Sequence, residues 1–143
     1  MHAAKRVVRE IGELALAFLL AFVTYRVLAY VLATPVPIVS VTSSSMLPTL
    51  HPGDLVVAVS PSEIEEGDIV IYEAHCAVLP REDIIHRVIE INGTTLTTKG
   101  DNNLTNPVPD PCPVPLEYVK GKVLIAIPLL GYPRLAINYL FNV

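Results

Sequence analysis

From Leu14 to Ala33 the chain reads LALAFLLAFVTYRVLAYVLA, a run whose only charge is Arg26. It is apolar on every side rather than along one stripe, as suits a helix surrounded by lipid. About 20 helical residues rise roughly 30 Å, the thickness of a hydrocarbon core. Tyr25 and Tyr30 fall toward the far end, where interfacial aromatics gather. Arg26 either snorkels to the outer interface or pairs with a partner subunit. Lys5, Arg6 and Arg9 precede the run. By the positive-inside rule, residues 1–13 are cytoplasmic, 14–33 cross the membrane and 34–143 lie outside. A cleaved secretory signal is the competing reading. The run is long for such a signal, and Thr-Pro-Val-Pro follows Ala33 where a small-x-small cleavage site would stand. An uncleaved anchor is therefore expected.

After Pro35 short β-branched runs alternate with turn residues. They predict strands over Ile38–Thr42, Leu55–Val59, Asp68–Tyr72, Ile85–Ile91, Thr94–Thr98 and Val119–Ile127. Asn92-Gly93 between two of them predicts a type I′ hairpin. Pro52-Gly53-Asp54 and Glu66-Gly67-Asp68 each open a strand after a turn. Prolines exclude long internal helices, and Asn102–Pro115 reads as a Pro-rich loop. The expected fold is mainly β: a small antiparallel β-sheet domain behind one N-terminal transmembrane helix. Leu124–Val143 is apolar again but interrupted by Pro128, Gly131, Pro133 and Arg134. It reads as a last strand plus a short helix, with a second membrane helix as the alternative.

Charge narrows the function. The chain has 143 residues and a net charge of −4. The N-terminal 33 residues are basic, so the body is acidic, and an acidic body excludes nucleic acid as a partner. Cys76 and Cys112 lack metal-ligand spacing; they read equally as a disulfide or as two buried thiols. With no zinc-type spacing and no phosphate-binding glycine loop, no cofactor is expected. Asn92-Gly-Thr94 and Asn103-Leu-Thr105 are glycosylation sequons, which permit an external location without proving one.

The candidate chemistry is nucleophilic. Ser43-Ser44-Ser45 follows the first strand, His86 sits in an apolar strand, and Asp101 stands in a Gly/Asn turn. A serine hydroxyl needs a base to take its proton. Histidine suits that task near neutral pH, and a carboxylate fixes the imidazole tautomer. His75 beside Cys76 offers no thiol-protease pair, because adjacent strand residues point to opposite faces.

The motifs are more specific than the residue types. Ser43-Ser-Ser-Met-Leu-Pro-Thr-Leu50 with Pro52-Gly-Asp-Leu-Val56 resembles the serine box of the type I signal peptidases. Gly67-Asp-Ile-Val70, Ile85-His86-Arg87-Val88 and Lys99-Gly-Asp-Asn-Asn103 resemble the later boxes, in the same order, over about 65 residues. Histidine at position 86, where most bacterial members carry lysine, is similar to the archaeal and endoplasmic-reticulum type. Ser44 departs from the family's usual glycine.

The resemblance implies roles. Ser45 is the nucleophile and His86 the general base. Ser43, with a backbone N–H such as that of Ser45, lines the oxyanion hole. Asp101 and Asp110 are both candidates for the acid: Asp101 matches by motif, and Asp110 stands nearer the later aspartate of ER-type members. The implied substrates are signal peptides of secretory precursors with small residues before the cut, bound as an added β-strand. The implied place is the outer face of the cell membrane, or of the endoplasmic-reticulum membrane in a eukaryote. The nucleophile follows the span so closely that it lies within about 40 Å of the lipid. Membrane lipid and accessory subunits are the expected partners. A non-enzymatic tethered binding module and a subunit active only with partners are the alternatives. A self-cleaving regulator is disfavoured, for want of a cleavable linker and a DNA-binding domain.

Overall fold

The computed structural model of the chain describes residues 2–76 and 82–132. One helix, α1 (His2–Val31), is followed by β1 (Ile38–Ser40), β2 (Leu55–Val59), β3 (Ile69–Glu73), β4 (Asp83–Asn92), β5 (Thr95–Lys99), β6 (Val114–Pro115) and β7 (Val119–Ile127). The strands form one sheet in the order β1-β2-β7-β3-β4-β5-β6, and every neighbouring pair is antiparallel. The mainly β class and the apolar N-terminal helix are as expected.

Helix α1 is long and apolar enough to cross a membrane: Lys5–Val31 has a mean hydropathy of 2.0 and none of it is buried. It extends well before Leu14, because the pairs Arg6–Glu10 and Arg9–Glu13, one turn apart, support its polar start. It stops at Val31 rather than Ala33, whose φ of 50° is left-handed. The joint to the sheet is hydrogen-bonded. Thr34, 3% exposed, donates its hydroxyl to the Lys120 carbonyl of β7 at 2.7 Å and accepts Val36 N–H at 3.2 Å. Ser60 N–H, just past β2, donates to Leu32 O at 2.8 Å.

The predicted strands differ from the observed ones by at most two residues at either end. Strand β6 was not expected, since Pro115 lacks an N–H; it survives because it lies on the sheet edge. The hairpin differs in type. Asn92 pairs with Thr95, so the loop is Gly93-Thr94, and only Gly93 has positive φ (61°). That is the II′ pattern; type I′ needs both central residues left-handed.

The two Gly-Asp turns share one scheme. Gly53 and Gly67 have φ of 96° and 97°. Asp54 Oδ2 accepts His51 N–H, and Asp68 Oδ2 accepts Glu65 N–H, both at 2.8 Å. Each carboxylate closes its own turn and starts a strand.

The core has two parts. Val41, Met46, Leu50, Val56, Ala58 and Ile71 form one; Val70, Tyr72, Val88, Leu96, Val114 and Val119 form the other. Strand β3 feeds both through Ile71 on one side and Val70 and Tyr72 on the other, as the period of two requires. Of the two readings for the cysteines, the bonded one holds: Cys76 and Cys112 form a disulfide. The expected C-terminal strand is present to Ile127, while the expected helix and its membrane alternative lie mainly beyond Tyr132, outside the described residues.

Candidate active site

The serine loop is fixed by what flanks it. Met46 is 1% exposed and Leu50 2%, so both are driven into the first core cluster. Burying such a side chain contributes about 1.5–3 kcal/mol. Leu47 N–H bonds Ser44 O and Leu50 N–H bonds Met46 O, which closes the turn. Ser45 is left half-buried and Ser43 exposed. Their hydroxyls lie 3.1 Å apart. Ser44 has no left-handed φ, so glycine is not required there.

The Lys99-Gly-Asp-Asn-Asn103 segment braces this loop. Asn102 N–H donates to Ser45 O and Asn102 Nδ2 to Ser44 O, both at 2.9 Å. A Cβ on Gly100 would lie 2.6 Å from Ser45 O and 2.7 Å from Asn106 Cγ. Only glycine admits that approach. Asp101 accepts the Thr49 hydroxyl at 2.5 Å and is held by Arg87, Nε to Oδ1 at 2.8 Å and Nη2 to Oδ2 at 2.6 Å. Arg87 Nη1 also reaches Gly67 O at 2.6 Å. The hydrogen bonds of Arg87 first, with the Thr49 bond and neighbouring positive charge, outweigh burial and hold the Asp101 carboxyl below the usual carboxylate range. The same bond raises Arg87 above its ordinary value.

Asp110 is the carboxylate that meets the histidine. Its Oδ2 lies 2.6 Å from His86 Nδ1, with both side chains below a tenth exposed. The same oxygen accepts Thr98 Oγ1–H at 2.7 Å and Tyr72 O–H at 3.0 Å. Asp110 N–H in turn bonds Thr98 O at 2.8 Å. Burial alone would push the Asp110 carboxyl up; the bonds from His86 and Thr98, the histidine charge and the Tyr72 bond together hold it below the usual range. Burial pushes the Tyr72 phenol well above its ordinary value, so it stays a donor. Asp101 makes no hydrogen bond to His86: its oxygens are taken by Arg87 and Thr49.

With Nδ1 committed to Asp110, Nε2 is the ring nitrogen left to take a proton. Ser43, Ser45, His86 and Asp110 all line one cavity of about 470 Å³, between the Val39–Ser43 segment, the start of β4 and the Thr105–Pro111 stretch. Asp101 does not line it. No hydrogen bond joins Ser45 Oγ to His86, as is common before a substrate tightens such bonds. Two strand edges border the cavity. Among the described residues, β1 pairs only with β2, and β4 pairs with β5 only from Arg87 onward, which leaves Asp83–His86 without a strand partner on that side.

Tyr72, Thr98, Arg87 and Thr49 were not singled out as site residues from the sequence. A tyrosine inside an apolar strand signals a buried hydroxyl that needs a partner, and that signal pointed to Tyr72. Nothing in the sequence marked Thr98, one strand threonine among several.

The model of the family described as signal peptidase, peptidase S26, matches residues 11–121. The chain is also similar to signal peptidase complex catalytic subunits of fungi. It is 32% identical over 140 residues to that of Colletotrichum graminicola, covering 90% of this chain and 80% of the relative. It is 34% identical over 132 residues to that of Lachancea thermotolerans, covering 84% and 77%. For Fusarium vanettenii the identity is 31% over 141 residues, covering 90% and 80%.

Proposed function

The chain belongs to the S26 family of signal peptidases, which are serine endopeptidases, and from that premise we propose that it removes signal peptides with Ser45 as nucleophile, His86 as base and Asp110 as the acid behind it. The observation that carries the residue roles is the buried His86–Asp110 bond of 2.6 Å, opening on the cavity that Ser45 lines.

His86 Nε2 takes the proton of Ser45 Oγ as that oxygen attacks the scissile carbonyl. Charge develops on His86, and the Asp110 carboxylate stabilises it through Nδ1–H. Ser43 Oγ and the Ser45 N–H stabilise the oxyanion; a donor of this kind contributes about 3–4 kcal/mol. His86 returns the proton to the leaving amine, which frees the mature chain. Water, with its proton taken by His86, then hydrolyses the Ser45 ester. The open edges of β1 and β4 suit an extended peptide bound as an added strand, with small residues before the cut. Asp101 braces the serine loop rather than touching the reacting groups.

Helix α1 anchors the enzyme, with residues 1–13 cytoplasmic and the body from residue 34 outside, in the cell or endoplasmic-reticulum membrane. Accessory subunits are a second reading of its working state, favoured because the relatives bear the name of a complex. Family membership speaks against the non-enzymatic module.

The test is cleavage of a secretory precursor by the purified chain in detergent, beside Ser45→Ala and His86→Ala. Cleavage after a small residue, lost in both variants, is expected. No cleavage even with lipid and accessory subunits restored would refute the proposal; cleavage only with subunits would establish the second reading. For topology, protease added outside intact cells should digest the body and spare residues 1–10. Protection of the body would reverse the orientation.

A further inference from the structure

We propose that the Cys76–Cys112 disulfide is the positioning element that keeps the Asp110 carboxylate on His86. The inference rests on the proposed roles of those two residues and adds a part to them.

The segment carrying Asp110 reads Pro107-Val-Pro-Asp110-Pro-Cys112-Pro-Val-Pro115, with proline at every second position. Proline has no N–H to donate, so five of this segment's nine residues lack a backbone donor. From Asn106 to Pro113 the described backbone makes two hydrogen bonds outside strands: Asn106 N–H to Asn102 O, within the loop, and Asp110 N–H to Thr98 O. Only the second ties the segment to the sheet. A stretch so short of hydrogen bonds needs another fastening if it is to present one carboxylate oxygen to three donors.

The disulfide supplies that fastening at the required place. Cys112 follows Asp110 by two residues, and its partner Cys76 follows Glu73, the last residue of β3. Strand β3 carries Tyr72, which donates to Asp110, and pairs with β4 so that Val70 opposes His86. The cross-link therefore joins the Asp110 segment to the hairpin that holds His86. Pro111, between acid and cysteine, fixes one backbone torsion and stiffens the connection. On the N-terminal side the bracing bonds of Asn102 leave a long span before Asp110. Without the cross-link, Asp110 would be held by its own side-chain bonds, its one N–H and the short β6 pairing beyond it.

The test uses the full chain in detergent micelles with nitrogen-15 histidine, read before and after dithiothreitol. The reagent passes two electrons and two protons to the cystine, giving two thiols, and closes to its own cyclic disulfide. In the oxidised protein the His86 Nδ1–H proton should resonate far downfield, and Asp110→Asn should remove that signal and so assign it. Reduction should abolish it, lower kcat on a precursor by roughly 10²-fold, the cost of a misplacement of about 1 Å, and leave KM within about twofold. Hydrogen exchange at core amides such as Val70 and Leu96 should stay slow. A Cys76→Ser/Cys112→Ser double variant should match the reduced protein. An unchanged signal and kcat after reduction would overturn the proposal. So would a collapse of core protection in both reduced protein and variant, which would make the bond a global staple. If the oxidised chain cleaves nothing, the functional reading fails, while the proton signal still decides whether the disulfide positions Asp110.

Discussion

Asp101 meets a guanidinium and Asp110 meets an imidazole, and that difference separates two regions at the ends of one loop. Around Asp101 the partner is permanently charged, since arginine does not give up its proton in a protein. A pair that keeps both charges around neutral pH suits a fastener. It joins β4, the Gly67 turn and Thr49 of the serine loop. Around Asp110 the partner is an imidazole, which can take up and release a proton, and two hydroxyls donate to the same carboxylate oxygen. A carboxylate in that setting responds to a proton moving nearby. Two aspartates held below the usual range thus sit in different settings, and under the proposed function the identity of the partner separates the brace from the catalytic acid.

The largest effect should come from Asp110→Asn. It leaves the shape of the cluster but removes the charge that holds the tautomer, and kcat should fall by about 10³–10⁴-fold with little change in thermal midpoint. A mild loss equal to that of Asp101→Asn would erase the contrast. Next, Gly100→Ala forces a Cβ toward Ser45 O and Asn106 and should displace Ser45. A shift of about 1 Å should lower kcat by roughly 10²-fold. If the rate is unchanged and only stability drops, the brace does not set the position of Ser45.

Asp101→Asn should act on stability, costing about 2 kcal/mol in denaturant midpoints near neutral pH, with turnover reduced less than by Asp110→Asn. Its pH dependence has a defined sign. The folded carboxyl titrates below its ordinary value of 3.8. Its contribution is therefore complete above the unfolded pKa and is lost as pH falls through the folded one. The native chain and Asp101→Asn should converge in stability as pH falls below 3.8; a gap that stays constant into strong acid would refute the ion-pair account. The smallest effect should come from Tyr72→Phe, which removes one of three donors to Asp110 and costs about 1 kcal/mol, read as a drop in kcat of under about tenfold.

The helix and most of the sheet were legible because periodicity reports burial directly. The apolar run, the alternating strands and the Gly-Asp turns each have a local cause. What sequence left open depends on contacts far along the chain. Sequence left Asp101 and Asp110 as equal candidates for the acid; which of them meets His86 turns on Arg87, Tyr72 and Thr98, from three different strands. The fate of the cysteines depended on two loops meeting, which spacing alone does not encode. The hairpin type turned on one residue of register, and β6 was hidden by the proline within it.

The bonded joint at Thr34 has a mechanical consequence. Because Thr34 and Leu32 are tied to β7 and to the residue after β2, the helix tip and the sheet share one set of hydrogen bonds and form no swivel. A rod set rigidly into a plate acts as a depth gauge. With α1 seated in a bilayer, Ser45 would stand at a set height above the lipid, and under the proposed function the point of cleavage would be gauged from the membrane before any side chain is read.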